Sequence, residues 1–245
     1  MAVRKPPETW YWSYDIKPDD IDAVLVPGVR LVRLSRYRKG TSPRFAALAY
    51  KEPGPARRHA VDLEAAAAGK LLQETGQRPV SVTVDAVDGP PRFSLVLETG
   101  PGPVSSLHLD LDEAGVRALL DDRHGVADLA TYTAGGARKY AVIVEERPGP
   151  SWLFTGVTAP ELDAKLVEHG AALVRVRAYV EGGRQRFAAV AERAEPGPWA
   201  WYPALDPEAV ARNLEQNSAY PLDLDATRDE QGLRFSVVMY RSATG

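Results

Sequence analysis

Apolar and polar residues follow the same order five times along the chain. A short extended segment comes first, as in "SWLFTGVT" and "WAWYPALD". A capped helical stretch such as "PEAVARNLEQN" follows, and then a strand such as "ALVRVRAYV" in which apolar and polar residues alternate. A glycine-rich turn leads to an almost wholly apolar strand, such as "RFAAVAE". The change of periodicity within each stretch predicts a β-α-β-β unit.

Two short motifs measure the length of the repeat. Pro-Gly-Pro recurs in steps of 48, 47 and 48 residues, at 53–55, 101–103, 148–150 and 196–198. A basic residue followed by an aromatic one recurs at similar steps, and the aromatic residues are Phe45, Phe93, Tyr140, Phe187 and Phe235. These steps divide one repeat domain, 1–245, into five units at about 9–55, 56–103, 104–150, 151–198 and 199–241.

Helix boundary signals agree with this division. An Asp or Thr that accepts a hydrogen bond from the first turn starts many helices. Such N-caps are predicted at Asp110, Thr158 and Asp206. A glycine in the left-handed conformation ends many helices. Such stops are predicted at Gly76, Gly125 and Gly170. We therefore expect five helices and about fifteen strands.

The units must stack, because one hairpin with one short helix cannot bury its own apolar faces. We predict an α+β fold of five tandem β-α-β-β repeats, arranged either as a closed propeller-like toroid or as an open solenoid. An open solenoid needs polar terminal units. Four of the five tryptophans instead lie in the first and last units, at Trp10, Trp12, Trp199 and Trp201. This favours the toroid, in which these two units become neighbours.

The repeat resembles one known structural repeat. The stretches "GVRLVRLSRYRKGTSPRFAALAY" and "GAALVRVRAYVEGGRQRFAAVAE" carry a helix-ending glycine, an alternating strand that reaches Tyr, a turn, and a basic-aromatic-small-small strand. This order resembles the repeat of bacterial tandem-repeat proteins and of the N-terminal region of fungal polyglycine hydrolases, and the resemblance spans essentially the whole chain. The family strand often ends in Val-Trp, where this chain has Leu48-Ala49 and Val190-Ala191. The sequence contains neither the serine-hydrolase domain nor a Ser-x-x-Lys motif, so the resemblance implies a scaffold without peptidase activity.

Composition and charge exclude several classes of partner. A hydrophobic content of 44% predicts a folded globular protein, and its Ala, Arg, Gly and Pro usage suggests a bacterial source. A net charge of −3, with basic residues spread along the chain, gives no patch for nucleic acid. No apolar run is long enough to span a membrane, and no export signal is present, so we expect a cytoplasmic protein, or a secreted one if a leader has been removed.

Candidate site residues follow from comparing the five units with one another. Positions shared by all units build the scaffold, whereas the polar face of the alternating strand differs from unit to unit. If these strands line the axis of a toroid, that face forms a channel. The predicted ligand-binding residues on it are Arg33, Tyr37, Asp85, Asp128, Tyr132, Arg175, Arg177, Tyr179, Asp223 and Asp225.

Such a channel suits a small polar or zwitterionic molecule, with Arg for a carboxylate and Asp for an amine. Three alternatives remain open. The Arg and Asp residues form cross-strand ion pairs and bind nothing, or they serve general acid-base catalysis in a cofactor-independent enzyme, or a glycan or peptide stacks on the tryptophan-bearing face. No metal-binding, phosphate-binding or nucleophile motif occurs, so we predict no cofactor and no metal.

Overall fold

The computed structural model describes residues 6–87, 89–147, 149–193, 198–230 and 232–241. They form five three-stranded antiparallel sheets, one for each unit of the repeat. Strands make up 59% of the structure. The fold is therefore mostly β, and the α+β prediction gave the short helices too much weight.

In each sheet the first and second strands of the unit both pair with the third strand, which lies in the middle. The first strands are β1 (Thr9–Ile16), β4 (Arg57–Leu63), β7 (Ser105–Leu111), β10 (Ser151–Val157) and β13 (Trp199–Leu205). The second strands are β2 (Val29–Lys39), β5 (Arg78–Asp85), β8 (His124–Ala134), β11 (Ala171–Glu181) and β14 (Ala219–Asp229). The third strands are β3 (Ser42–Lys51), β6 (Arg92–Glu98), β9 (Ala137–Glu146), β12 (Arg184–Arg193) and β15 (Gly232–Arg241).

Helices join the first and second strands in four of the five units. They are α1 (Ala65–Thr75), α2 (Glu113–Ala118), α3 (Ala159–His169) and α4 (Pro207–Gln216). Unit 1 has two 3-10 turns instead, Pro18–Asp20 and Asp22–Val24, so the prediction of five helices is wrong there. Pro27 and two β-branched valines stand where a continuous helix would run, and both residue types disfavour it.

Two of the three predicted N-caps are confirmed. The side chain of Asp206 accepts from the backbone of the first turn of α4, and Thr158 forms a capping box with Glu161. In unit 3 the cap is Asp112 rather than Asp110. Asp110 lies at the end of β7, where its φ of 58° belongs to a bulge.

Two of the three predicted helix stops are also confirmed. Gly76 and Gly170 end α1 and α3 in the left-handed conformation. Gly125 lies inside β8, because α2 already ends at Ala118. The helix of unit 3 is thus shorter than its apolar pattern predicts.

The residues shared by all units form the core. Each third strand carries an aromatic side chain that is at most 3% exposed: Phe45, Phe93, Tyr140, Phe187 and Phe235. The small residue after each aromatic is buried as well. These recurring positions are structural, as their recurrence predicts.

The Pro-Gly-Pro motif has a packing role in the first two units. A Cβ atom at Gly54 would collide with the guanidinium of Arg30, and one at Gly102 with that of Arg78. Both arginines bind the carboxylate of Glu98, which is 2% exposed. Glycine suits these two loops because the backbone lies directly over a guanidinium group, which a larger residue would push away from its position beside Glu98.

The second strands of consecutive units lie side by side. β2 lies beside β5, β5 beside β8, β8 beside β11 and β11 beside β14, and β14 also contacts β2. Each second strand carries a bulge at the equivalent position, and the bulged residues are Val32, Val80, Ala127, Val174 and Leu222. A bulge re-aims the side chains that follow it, and here those are the polar residues of the candidate site.

Unit 1 packs against unit 5 in the same way as unit 5 packs against unit 4. Trp12 of unit 1 packs edge-on against Phe235 of unit 5, with ring centroids 5.7 Å apart. The equivalent Trp201 of unit 5 packs edge-on against Phe187 of unit 4 at 5.4 Å. The hydroxyl group of Tyr50 in unit 1 also donates a hydrogen bond to a carbonyl of β14. Trp12 and Trp201 therefore each pack between two units.

Candidate functional site

Five of the predicted site residues form a buried ion network between the second strands. Arg177 contacts Asp223 through Nη1 at 2.7 Å and Asp128 through Nη2 at 2.6 Å. Arg33 Nε lies 3.3 Å from Asp223 Oδ1, and Arg175 Nε lies 3.6 Å from Asp128 Oδ1. Both carboxylates are fully buried. The charges are paired with one another, as the ion-pair alternative predicts for this level of the strands.

Arg177 is held on every side. Its Nε donates to the carbonyl of Leu129 at 2.7 Å and its Nη1 to that of Val176 at 2.6 Å, in addition to its two carboxylate partners. Burial lowers the pKa of Arg177, but the charges of Asp223 and Asp128 outweigh that effect and hold the pKa above its ordinary value. Four of the five N–H donors of this guanidinium therefore have protein partners, so it has little capacity left for a ligand carboxylate.

Side chains of the second strands also satisfy the backbone of the neighbouring strand. At each of four junctions an oxygen of one unit accepts a backbone N–H of the preceding unit. These bonds are Arg36 N to Thr83 Oγ1 (3.0 Å), Val82 N to Asp128 Oδ2 (2.8 Å), Val176 N to Asp223 Oδ2 (2.9 Å), Ala178 N to Asp225 Oδ2 (2.8 Å) and Ala226 N to Ser35 Oγ (2.8 Å). The last bond joins unit 5 to unit 1. At the remaining junction, Arg175 and Arg177 donate to carbonyls of β8.

Beyond the network the second strands enclose a cavity. A funnel of about 840 Å³ is lined by residues from all five second strands, and a recess of about 110 Å³ shares six of those residues. Arg177 belongs both to the network and to the wall of the recess. The recess therefore lies at the bottom of the funnel, directly above the ion pairs.

The structure divides the ten predicted site residues into three groups. The funnel is lined by Tyr37, Asp85, Tyr132 and Tyr179. The recess is lined by Arg177 and Asp225. Neither cavity is lined by Arg33, Asp128, Arg175 and Asp223, which lie in the ion network.

The three tyrosines support the walls of the funnel. In units 1, 3 and 4 the Tyr hydroxyl accepts a backbone N–H from the left-handed residue that ends the first strand. The pairs are Asp15–Tyr37 (2.9 Å), Asp110–Tyr132 (3.1 Å) and Gly156–Tyr179 (3.0 Å). Burial raises the pKa of all three phenols, that of Tyr132 to about 12, so they remain neutral.

Sequence reasoning missed half of the funnel, because it assigned the other face of the second strands to the core. Arg36, Arg38, Thr131 and Arg228 belong to that face, yet all line the funnel. Strands twist, so near its end a strand presents both faces to the space between splayed sheets. The available signal was charge: arginines replace apolar residues where the alternation ends.

Two of these arginines are already occupied. Asp85 accepts from Arg38 Nε at 2.9 Å and lies 3.2 Å from Arg36 Nη2. Arg228 is exposed, and its side chain makes neither a hydrogen bond nor an ion pair within the described part of the chain. The rim of the funnel thus carries at least one cation available to a ligand.

Asp225 differs from the other two carboxylates at the centre. It accepts from Ala178 N at 2.8 Å and from Ser35 Oγ at 3.2 Å. Among the described residues no Lys, Arg or His nitrogen comes within 4.0 Å of it, whereas Asp128 and Asp223 each contact arginines. Burial raises the pKa of Asp225 to about 6, although the nearby charge of Arg177 opposes the shift.

The tryptophan-bearing surface holds a separate cleft of about 370 Å³, lined in part by Trp199, Trp201 and Asp163. Trp201 Nε1 donates to Asp163 at 2.7 Å, and the ring of Trp199 stacks on Tyr240. Both indoles therefore have structural contacts, and each leaves part of its surface exposed.

We predict that Arg177→Ala lowers the free energy of unfolding by about 3–5 kcal/mol, because it leaves two buried carboxylates without their main partner. Phe187→Ala is expected to cost a similar amount through the cavity it creates. The control is Arg184→Ala, an exposed residue at the start of β12, with an expected effect within about 0.5 kcal/mol. Urea unfolding of the three variants measures this; a mild Arg177→Ala effect would contradict a structural role for the network.

The raised pKa of Asp225 predicts a distinct pH dependence of the folding stability. Its folded pKa of about 6 lies above the ordinary unfolded value of about 3.9. Between these values the folded protein keeps a proton that the unfolded chain has lost, so this residue lowers stability as pH rises from about 4 to about 6. Two pKa units correspond to about 3 kcal/mol. Asp225→Asn should gain that much relative to the wild type between pH 4 and pH 7, and parallel stability curves would refute the assignment.

Comparison with family models and with curated proteins finds no match. The resemblance to the polyglycine-hydrolase repeats therefore stays a prediction from the repeat pattern. Within the described ranges no helix is both long and apolar enough to cross a membrane, and no group of three His, Asp or Glu side chains is placed to hold a metal ion.

Proposed function

We propose that this chain is a non-catalytic binding protein that holds a small polar molecule in the funnel. The observation that carries the proposal is the composition of the wall. All five second strands contribute to one cavity, and they do so mostly with residues that differ between units, while the residues shared by all five units remain in the core. A cavity of about 840 Å³ has the size of small-molecule sites in proteins.

We also propose that the five units close into a propeller-like toroid with the funnel on its axis. Support comes from the junction between the last unit and the first. It contains a side chain-to-backbone bond of the kind found between other units, from Ala226 to Ser35, and an aromatic contact of Trp12 that repeats the contact of Trp201. In an open solenoid these two surfaces would be free ends.

Closure predicts equal roles for the two equivalent tryptophans. In a toroid, Trp12→Ala and Trp201→Ala each remove an aromatic contact between units, so their costs in unfolding free energy should agree within about 1 kcal/mol. Both residues are partly exposed, so each cost should fall below the about 3–5 kcal/mol typical of a fully buried Trp. In an open solenoid Trp12 would lie on a terminal face and its removal would cost much less. Chemical denaturation of both variants separates the two arrangements.

An enzyme is the second candidate, and Asp225 is the observation that favours it. A buried carboxyl group with a raised pKa beside a cavity is typical of general acid-base residues. Catalysis of that type also needs a second group with a matched pKa. The tyrosines bond to the backbone and the nearby arginines are paired, so the described wall supplies binding groups more readily than a second acid or base.

The funnel is tested by blocking it. A panel of amino acids, dipeptides, amines, carboxylates and monosaccharides is screened by thermal shift, and hits are titrated by NMR. Val180→Trp places an indole at the mouth, where Val180 is 66% exposed and lines the funnel. Its matched control is Val167→Trp on the outer face of α3, where Val167 is 82% exposed. We expect hits whose affinity falls at least tenfold in Val180→Trp and is unchanged in Val167→Trp.

Two results would contradict the proposal. A panel without hits would leave the funnel without a small-molecule role. Hits that bind both variants equally would place the site elsewhere. If such hits were sugars lost in Trp199→Ala, the tryptophan-lined cleft would be the binding surface.

A further inference from the structure

The recess at the bottom of the funnel contains an acid, Asp225, that makes no direct ion pair within the described residues. Each oxygen of Asp225 accepts one hydrogen bond, from Ala178 N or from Ser35 Oγ, and a carboxylate oxygen can accept two. The network below has used its arginines on Asp128 and Asp223. The spare acceptor capacity of Asp225 therefore belongs to the recess that it lines.

Two hydroxyl groups stand beside this carboxylate. Thr131 and Thr227 also line the recess, and both are partly exposed. Across the described ranges neither side chain has a hydrogen-bond partner, so both hydroxyl oxygens are available as acceptors. The recess thus brings together one anion and two neutral acceptors from strands β8 and β14. Two arginines, Arg36 and Arg177, also line it, and carboxylates outside the recess balance their charges.

A primary ammonium group has three N–H donors and no acceptor. It matches three acceptors of which one is charged, and its bond to a carboxylate is of the stronger, charge-assisted kind. A recess of about 110 Å³ holds an ammonium group with its first methylene, since a water molecule takes about 30 Å³ of liquid volume. A carboxylate or phosphate would instead face the charge of Asp225.

We propose that the recess binds the primary ammonium group of a small zwitterionic ligand, with Asp225, Thr131 and Thr227 as its acceptors and the anionic end at Arg228. This inference rests on the proposed function and names the ligand class of the same cavity. Asp225 and Arg228 are three residues apart on β14, which is about 10 Å along a strand. The ligand therefore has the length of a dipeptide or of an ω-amino acid rather than of an α-amino acid.

The remaining wall fits the body of such a ligand. Val84, Ala178 and Val180 present apolar surface from two other units. They accommodate the methylene chain of an ω-amino acid or the side chain of a dipeptide. The acidic residue of β5 at this level, Asp85, is occupied by Arg36 and Arg38 of β2 and does not compete for the amine.

The test uses probes that differ in one group. 5-Aminopentanoate and glycylglycine carry both ends, pentylamine lacks the carboxylate, and pentanoate lacks the amine. NMR titration of the wild type should show that both zwitterions bind, that pentylamine binds more weakly, and that pentanoate binds at least tenfold more weakly than 5-aminopentanoate.

The variants address each acceptor separately. Asp225→Asn keeps an oxygen for Ala178 N but removes the charge, and we expect it to weaken 5-aminopentanoate binding at least tenfold with the fold intact by circular dichroism. Thr131→Val and Thr227→Val should each weaken it about threefold or more. Thr9→Val, at an exposed position of β1 that lines neither the funnel nor the recess, is the matched control and should bind as the wild type does.

The outcomes separate this inference from the proposed function. Equal binding of 5-aminopentanoate and pentanoate, or unchanged binding in Asp225→Asn, overturns the ammonium site. So does a panel whose funnel ligands are all anions or sugars, and in that case the funnel keeps its binding role. If no compound depends on Val180, the binding role fails and this inference fails with it.

Discussion

The structure depends on how five sheet edges are satisfied where they meet. Each second strand is the edge of its sheet, and an edge leaves a row of backbone N–H and C=O groups unpaired. Buried groups of this kind must find partners. Here they find them in side chains such as Asp128, Asp223 and Ser35, which bond to the backbone of the adjacent unit. The polar centre is thus a requirement of bringing the edges together without forming a continuous ladder.

This requirement explains why the charges at the centre are numerous yet mostly unavailable. A buried carboxylate that accepts a backbone N–H needs a cation nearby, and Arg177 serves Asp128 and Asp223 together. At that level of the strands the charged side chains are paired with one another. One layer further along the strands, Asp225 satisfies a backbone N–H in the same way but has no arginine at bonding distance within the described residues. A scaffold role and a binding role therefore meet in adjacent layers of the same strands.

The repeat also leaves room for function because its units are unequal. The core aromatics, the small residues beside them and the bulges recur in all five units and hold the sheets in equivalent positions. No polar position of the second strands holds the same residue in all five units, so one wall of the funnel carries arginines and another carries threonine, alanine and valine. An asymmetric ligand can be oriented by such a wall, because its charged and apolar parts find different surroundings.

The sequence by itself determined the number of units, the three strands of each and the residues that build the core, because these follow from local periodicity and from a repeat of about 48 residues. It also identified most of the polar residues that meet at the centre. Only the tertiary structure decided which of them are consumed by ion pairs, since Arg177 and Asp128 are 49 residues apart in the chain and belong to different units. It alone showed that Asp225 lacks a cation at bonding distance in the described structure and that Arg36, Arg38 and Arg228 face the funnel. Pairing and strand twist depend on distances between units, and no local pattern contains those distances.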